Sequence, residues 1–136
     1  MNQSIPHRNI SPHGWWVATY VERAAWDDEE PAAPDLECQV WENTIILLAP
    51  DRDAAYTKAI ALASANENEF SDADDVSRTG RWVFEGLLSL LPIYDELGDG
   101  AEISWQDHPA VTVQKMRSWI RAKDQLEVFD DSPLED

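Results

Sequence analysis

The spacing of apolar and polar residues predicts four β-strands. Residues Trp15 to Arg23 alternate with a period of two and are rich in β-branched and aromatic side chains, which favours a strand. The second strand, Cys38 to Leu48, is polar in its first half and ends in four aliphatic residues, which indicates that its end is covered on both faces. Alternation recurs over Arg81 to Leu91, and the turn signal Asp99-Gly100 predicts a returning strand over Ala101 to Gln106.

Two helices are predicted where apolar residues recur at helical spacing. The first begins after Asp51, a suitable N-cap residue, and runs to about Asn66 with an alanine-rich stripe that allows close packing on a sheet. The second spans 110–123, and its polar face holds four of the ten cations. We therefore predict an α+β fold: an antiparallel sheet of about four strands in the order β-β-α-β-β, with one helix packed on it and an additional C-terminal helix.

The length and the distribution of charged residues predict three segments. Residues 1–13 are expected to be a flexible leader, 14–123 a single α+β domain and 124–136 an acidic C-terminal tail, since 136 residues is a common size for one domain. The N-terminus has two prolines and no apolar run, which does not fit a signal peptide. The longest nearly uncharged apolar stretch, 86–94, is too short to span a bilayer. We expect a cytoplasmic protein.

The charge balance restricts the class of partner. The chain has 27 acidic residues against 10 Lys and Arg, a formal net charge of −17. Direct binding to nucleic acid or to an anionic membrane is not expected, because each phosphate contact needs a cation. A protein partner with a basic surface is expected instead. The charge is uneven, since 24–51, 67–75 and 82–114 contain no Lys or Arg. The acidic stretch from Asn66 to Ser77 is predicted to be a loop.

No motif for a metal, a cofactor or a nucleophile is found. None of the three histidines is paired at i, i+4 spacing, and the acidic stretch 72–75 lacks the glycine and distal glutamate of a calcium loop. A lone cysteine, Cys38, excludes an internal disulfide and is expected to be a small buried hydrophobe. Its alternative role is a reactive thiol with His108 as base. We predict no catalytic, cofactor-binding or metal site.

Three glutamates in predicted strands leave one catalytic alternative open. Glu22, Glu42 and Glu85 could meet on one face of the sheet. Without cations nearby, such a cluster would raise the pKa of at least one carboxyl group and provide a general acid in a Trp-lined cleft. The other interpretation is that each carboxylate lies on a solvated face.

The seven tryptophans fall into two groups. Those near the start or middle of predicted strands are expected in the core or in cross-strand pairs: Trp16, Trp41, Trp82 and Trp105. The others are harder to place inside, and an exposed Trp ringed by acids is typical of a protein-binding hot spot. The predicted partner-binding residues are Trp15, Trp26, Asp27, Asp28, Glu29, Glu30, Glu42, Glu85, Tyr94, Asp95, Glu96 and Asp99.

Several of these motifs together resemble a known family. They are Trp15-Trp16-Val-Ala18, Val40-Trp41-Glu42-Asn43, the alanine-rich helix after Asp51, Trp82-Val-Phe84-Glu-Gly86-Leu, Tyr94-Asp95-Glu96-Leu97 and Asp99-Gly100-Ala-Glu102-Ile103. Over residues 15–105 the chain resembles the small bacterial family called domain of unknown function 4288. The resemblance implies an α+β fold with the same order of elements, and it implies no activity.

Three functional hypotheses follow. The leading one is a small acidic, non-catalytic binding protein, in its specific form an immunity protein that neutralises a bacterial toxin by blocking its active site. The second is a small enzyme that uses the carboxylate cluster described above. The third is a mimic of nucleic acid that inhibits a DNA-binding protein through its rows of acids. Nothing in the residue spacing predicts the oligomeric state.

Overall fold

The computed structural model describes residues 4–29, 34–65 and 67–133. The chain forms two compact units, Met1–Trp105 and Gln106–Asp136. Among the helices in the described residues, none combines the length and the apolar character that crossing a bilayer requires. The division into a leader, one domain and a tail stays a prediction.

The larger unit combines a four-stranded antiparallel sheet with one long helix. After a short 3₁₀ turn at His7–Asn9, its elements are β1 (Trp15–Trp26), β2 (Val40–Leu48), α1 (Arg52–Ala65), β3 (Glu69–Ser71) and β4 (Thr79–Pro92). The strands lie side by side in the order β2-β1-β4-β3, so β1 is central and pairs with both β2 and β4. The predicted α+β class and the order β-β-α-β-β are confirmed.

The alternation along β1 separates two faces of the sheet. The even-numbered residues from Trp16 to Trp26 lie on the face that carries α1, which we call the helix face. The odd-numbered residues lie on the opposite, outer face. Residues that pair across an antiparallel ladder share a face, so the register assigns the side chains of β2 and β4 as well.

The core lies between α1 and one end of the sheet. Trp16 and Ala18 of β1 are buried there against Ala55 and Ala59 of α1. Alanine side chains are short, and they allow the helix axis to approach the sheet closely, as the sequence predicts. The indole Nε1 of Trp16 donates a hydrogen bond of 3.0 Å to the carbonyl oxygen of Ala49, which satisfies its one polar atom.

The start of α1 agrees with the sequence. The Asp51 carboxylate accepts a hydrogen bond of 2.8 Å from the backbone N–H of Ala54. This side chain therefore satisfies one of the N–H groups that have no partner within the helix, and the predicted N-cap is confirmed.

Two β-bulges interrupt the pairing of β4 with β1. The register shifts between Thr19 and Tyr20 and again between Val21 and Glu22, which leaves Leu88 and then Glu85 as extra residues in β4. A bulge bends the strand and increases its twist.

The fourth strand is not where the sequence places it. The turn at Asp99-Gly100 is confirmed, since Gly100 has a φ of 85° and Ala101 donates its N–H to Gly98. The strand expected over 101–106 is wrong. The N–H of Glu102 donates instead to the side chain of Asp95 at 2.9 Å, so this segment is bonded to the preceding loop and not to a neighbouring strand. The fourth strand is β3, which lies within the stretch interpreted as an acidic loop.

The smaller unit contains short helical segments. They are α2 (Val113–Ser118) and two 3₁₀ turns, Lys123–Gln125 and Glu127–Phe129. Thr112 caps α2, because its hydroxyl oxygen accepts the N–H of Lys115 at 3.1 Å. The C-terminal helix is confirmed, but it is shorter than the predicted 110–123. Its apolar residues are exposed, 56% for Val113 and 39% for Met116, and short helices rarely extend without packing.

Candidate functional site

Four aromatic side chains form a continuous row on the helix face, at the end of the sheet away from Trp16. The ring centroids of Trp41 and Trp82 are 4.5 Å apart, those of Trp82 and Phe70 5.6 Å, and those of Phe70 and Trp26 4.8 Å. We call Trp41, Trp82, Phe70 and Trp26 the aromatic row. The row crosses all four strands, and the indole of Trp41 at its end is 48% exposed.

Two small residues allow these rings to meet. Ala24 of the central strand pairs with Trp82 and is 5% exposed, and its single methyl group leaves room for contact between Trp41 and Trp82 across β1. Gly80 lies between Trp26 and Phe70 in the register. A Cβ atom on Gly80 would lie 2.8 Å from the Phe70 ring and 2.6 Å from the carbonyl oxygen of Ala25. Only glycine therefore fits there.

A cation already occupies the Trp26 end of the row. The guanidinium carbon of Arg78 lies 4.1 Å from the centre of the Trp26 ring, within range of a cation–π interaction. Its Nε donates to Asp28 at 3.1 Å, and its Nη1 lies 4.0 Å from Asp72. Asp27 accepts a hydrogen bond of 2.6 Å from the hydroxyl of Thr79. The predicted site residues Trp26, Asp27 and Asp28 are thus brought together at one end of the aromatic row.

A buried carboxylate lies beside the other end. Glu22 pairs with Trp41 on one side and Phe84 on the other, and it is only 7% exposed. Asn43 donates a hydrogen bond of 2.8 Å to its Oε1, which offsets part of the cost of removing the carboxylate from water. The ion pairs found among the described residues involve other carboxylates and not Glu22.

The three glutamates that could meet on one face of the sheet do not cluster. Glu42 pairs with Val21 and therefore lies on the outer face, opposite to Glu22. Glu85, the extra residue of a bulge, forms an ion pair of 2.8 Å with Arg23, whose side chain belongs to the outer face. The twofold alternation of β1 separates Glu22 from the other two, so the structure assembles no acid/base cleft from these residues.

Tyr94 and its acidic neighbours form a separate loop region. The Tyr94 hydroxyl donates to the carbonyl oxygen of Arg8, and its ring lies 5.3 Å from that of Trp105. The Asp95 carboxylate accepts a hydrogen bond from the backbone N–H of Glu102, which stabilises the loop. Two further predicted residues are exposed in the same loop, Glu96 and Asp99.

The remaining predicted residues lie on the outer face, in the turn after Trp26 or outside the described residues. Trp15 is half-buried on the outer face at the start of β1. Glu29 follows Trp26 in a turn and is partly exposed, and Glu30 lies outside the described residues. Two expectations of burial are wrong: Cys38 is exposed before β2, and Trp105 is 40% exposed outside any strand.

Three members of the row are absent from the predicted site. The sequence predicts Trp41 and Trp82 in the core or in cross-strand pairs and Phe70 in a loop. The available signal is Gly80, because a glycine in a strand often marks a place where another group approaches closely.

Two carboxyl groups in loops have a lowered pKa. The Ser77 side chain, and then its backbone N–H, hold the pKa of Asp75 below its ordinary value of 3.8 by hydrogen bonding. Ser132 lowers the pKa of Asp130 in the same way. Within the part of the chain that the structure describes, no group of three or more His, Cys, Asp or Glu is placed to hold a metal ion.

Comparison with known proteins identifies a family without an assigned activity. No curated protein matches the chain, and no solved structure does. The family model described as Domain of unknown function (DUF4288) matches residues 15–105, which hold all four strands and α1. The resemblance seen in the sequence is thereby confirmed, and the chain belongs to the DUF4288 family.

Proposed function

We propose that this chain is a non-catalytic binding protein that recognises a protein with a basic surface through the aromatic row. The observation that carries the proposal is the contact between Trp41 and Trp82 with Trp41 48% exposed. Tryptophan rings in contact offer a large and rigid contact area, and residues of this type carry much of the binding energy at protein interfaces.

The charges around the row support a basic partner. Asp28 and Asp72 lie at one end, where they hold Arg78. At the other end Glu22 is buried beside Trp41. On the β3 side of the sheet, the Glu67 carboxylate accepts the N–H of Phe84 at 3.4 Å. With a net charge of −17 on the whole chain, this surface attracts cations and accelerates the encounter with a basic protein.

In the specific form of this proposal, the partner is a bacterial toxin, and the chain blocks the active site of that toxin. The small size and the acid excess support this role, since a toxin site that binds a phosphate-containing substrate carries cations. The enzyme alternative loses its main support because Glu22 lies on the face opposite to Glu42 and Glu85.

Affinity capture from the native host tests the binding proposal. The wild-type chain, Trp41→Ala and the matched control Tyr56→Ala, which changes a 56% exposed aromatic residue on α1, are compared at moderate salt. We expect a stoichiometric partner with wild type and control and its loss with Trp41→Ala. With the purified partner, calorimetry should give about tenfold weaker binding or more for Trp41→Ala. Absence of a partner, or capture unaffected by Trp41→Ala, contradicts the proposal.

A second measurement distinguishes an immunity protein from a mimic of nucleic acid. If a toxin gene lies directly upstream, expression of this chain should protect cells from that toxin, and continued killing removes the immunity role. A mimic of nucleic acid predicts the reverse pattern of sensitivities: binding that weakens steeply with salt and changes little with Trp41→Ala.

A further inference from the structure

Strand β2 forms one edge of the sheet and lacks the features that usually protect such an edge. In the described residues it pairs with β1 on one side only. Its nine residues contain a single charge, Glu42, and no Lys or Pro. Edge strands in monomeric proteins are usually short, or are interrupted by charges, prolines or bulges, because unpaired backbone groups form a template for another strand.

The hydrogen bonds of the ladder identify which residues face outward. Ala24 donates its N–H to Gln39 and Ala49 donates to Gly14, so the odd-numbered residues of β2 exchange bonds with β1. The even-numbered residues from Val40 to Leu48 therefore direct their N–H and C=O groups away from the sheet. Lys58 agrees with this orientation, since its Nζ reaches the carbonyl oxygen of Leu48 from outside at 2.9 Å.

The centre of this edge has no partner among the described residues. No backbone hydrogen bond joins Glu42, Thr44 or Ile46 to a group outside the sheet in that part of the chain. The side chains of the outward-directed residues belong to the outer face. Val40, Ile46 and Leu48 are 51%, 44% and 49% exposed, so the edge combines unpaired backbone with aliphatic side chains.

We propose that two copies of the chain pair through β2 as antiparallel strands centred on Thr44. Thr44 is the midpoint of Val40–Leu48, and this register pairs every outward-directed residue with another. Each Glu42 then lies opposite the aliphatic Ile46 of the second copy, and each Val40 lies opposite a Leu48. A register centred on Glu42 would place two carboxylates directly opposite each other and is disfavoured.

The position of Thr44 also favours a second copy as the occupant. The Thr44 hydroxyl lies 3.0 Å from that of Thr19 in β1, so pairing at Thr44 extends a row of threonines across both sheets. Net charge opposes association, but β2 carries only one of the acids, and this acid faces an aliphatic residue. Since salt screens the remaining repulsion, the dimer becomes tighter as ionic strength rises.

Sedimentation equilibrium of the full chain tests the pairing. We expect the mass to rise from that of a monomer to that of a dimer as the protein concentration increases. In high salt this transition should occur at a lower protein concentration. Ile46→Glu places a carboxylate opposite each Glu42 and, because the pair occurs twice by symmetry, should raise the dimer dissociation constant about tenfold. Ile46→Lys should lower it, and adding Glu42→Lys to Ile46→Glu should restore pairing.

Matched controls change Leu88, an exposed aliphatic residue of β4, to Glu or Lys, and these should leave the mass unchanged. Tightening by Ile46→Lys cannot arise from loss of the fold, so it supports the register even if another variant is unstable. A chain that stays monomeric at all concentrations and salts overturns the proposal, as does a dimer that is indifferent to both Ile46 variants. A monomer whose edge accepts only a foreign peptide strand also overturns it.

Discussion

The rings of Trp41 and Trp82 lie 4.5 Å apart although their strands are separated by the whole width of β1. Contact across a central strand requires that this strand present little side chain beneath the rings, and Ala24 meets that requirement. The contact within the partly exposed pair therefore depends on a small residue in the strand between the two rings.

Replacing Ala24 with Leu should separate the two indoles and destabilise the fold. Ala24 is 5% exposed, and inserting a larger side chain into a packed site costs about 1–3 kcal/mol. Chemical denaturation should report this loss, and circular dichroism should report a weaker coupling between the indoles. Ala61→Leu, at an exposed position of α1, is the control and should change stability by less than about 0.5 kcal/mol. An intact coupling signal in Ala24→Leu would contradict this account of the row.

Gly80→Ala should be destabilising although it adds a single methyl group. The added Cβ would lie 2.6 Å from the backbone oxygen of Ala25, which cannot move without breaking the pairing of β1 with β4. We expect a loss of roughly 2 kcal/mol in the free energy of unfolding. Gly98→Ala is the matched control, because nothing lies within 4 Å of its Cβ position. Equal stability of the two variants would contradict the close approach at Gly80.

Asn43→Ala should destabilise the protein through Glu22. The substitution removes the 2.8 Å hydrogen bond and leaves a carboxylate that is 7% exposed without that partner, which costs about 1–3 kcal/mol. In a Glu22→Leu background the same substitution should cost less, since no buried charge remains to be satisfied. A double-mutant cycle measured by urea denaturation checks this, and equal costs in the two backgrounds would show that Asn43 acts independently of Glu22.

Ser77→Ala should raise the pKa of Asp75 part of the way towards 3.8, because it removes the side-chain hydrogen bond, the largest cause of the lowered pKa, and keeps the backbone hydrogen bond of residue 77. The folded-state pKa is depressed, so the stability that Asp75 contributes is present above its unfolded-state pKa and disappears as pH falls through the folded value. Titration of the Asp75 carboxyl group by NMR measures the shift. Ser132→Ala is the control: it should raise the pKa of Asp130 and leave Asp75 unchanged.

Local patterns were sufficient for most of the fold. Alternation in β1 and in β4 depends on side chains that point to opposite faces at successive residues, so it can be read from the sequence. The cap at Asp51 involves an N–H three residues away and could be predicted for the same reason. The strand predicted over 101–106 is wrong because alternation does not reveal whether an edge is available to pair with. Strand β3 cannot be predicted from alternation, because it has three residues and Phe70 is its only apolar one.

The sequence by itself determined the class of the fold, the acid excess and a family membership that assigns no activity. Tertiary structure alone decided which side chains meet. It separated Glu22 from Glu42 and Glu85, brought Trp41 to Trp82 across β1, and left β2 at the edge of the sheet. The physical reason is that strand register and strand order join residues far apart in the chain, and a shift of one residue moves a side chain to the other face.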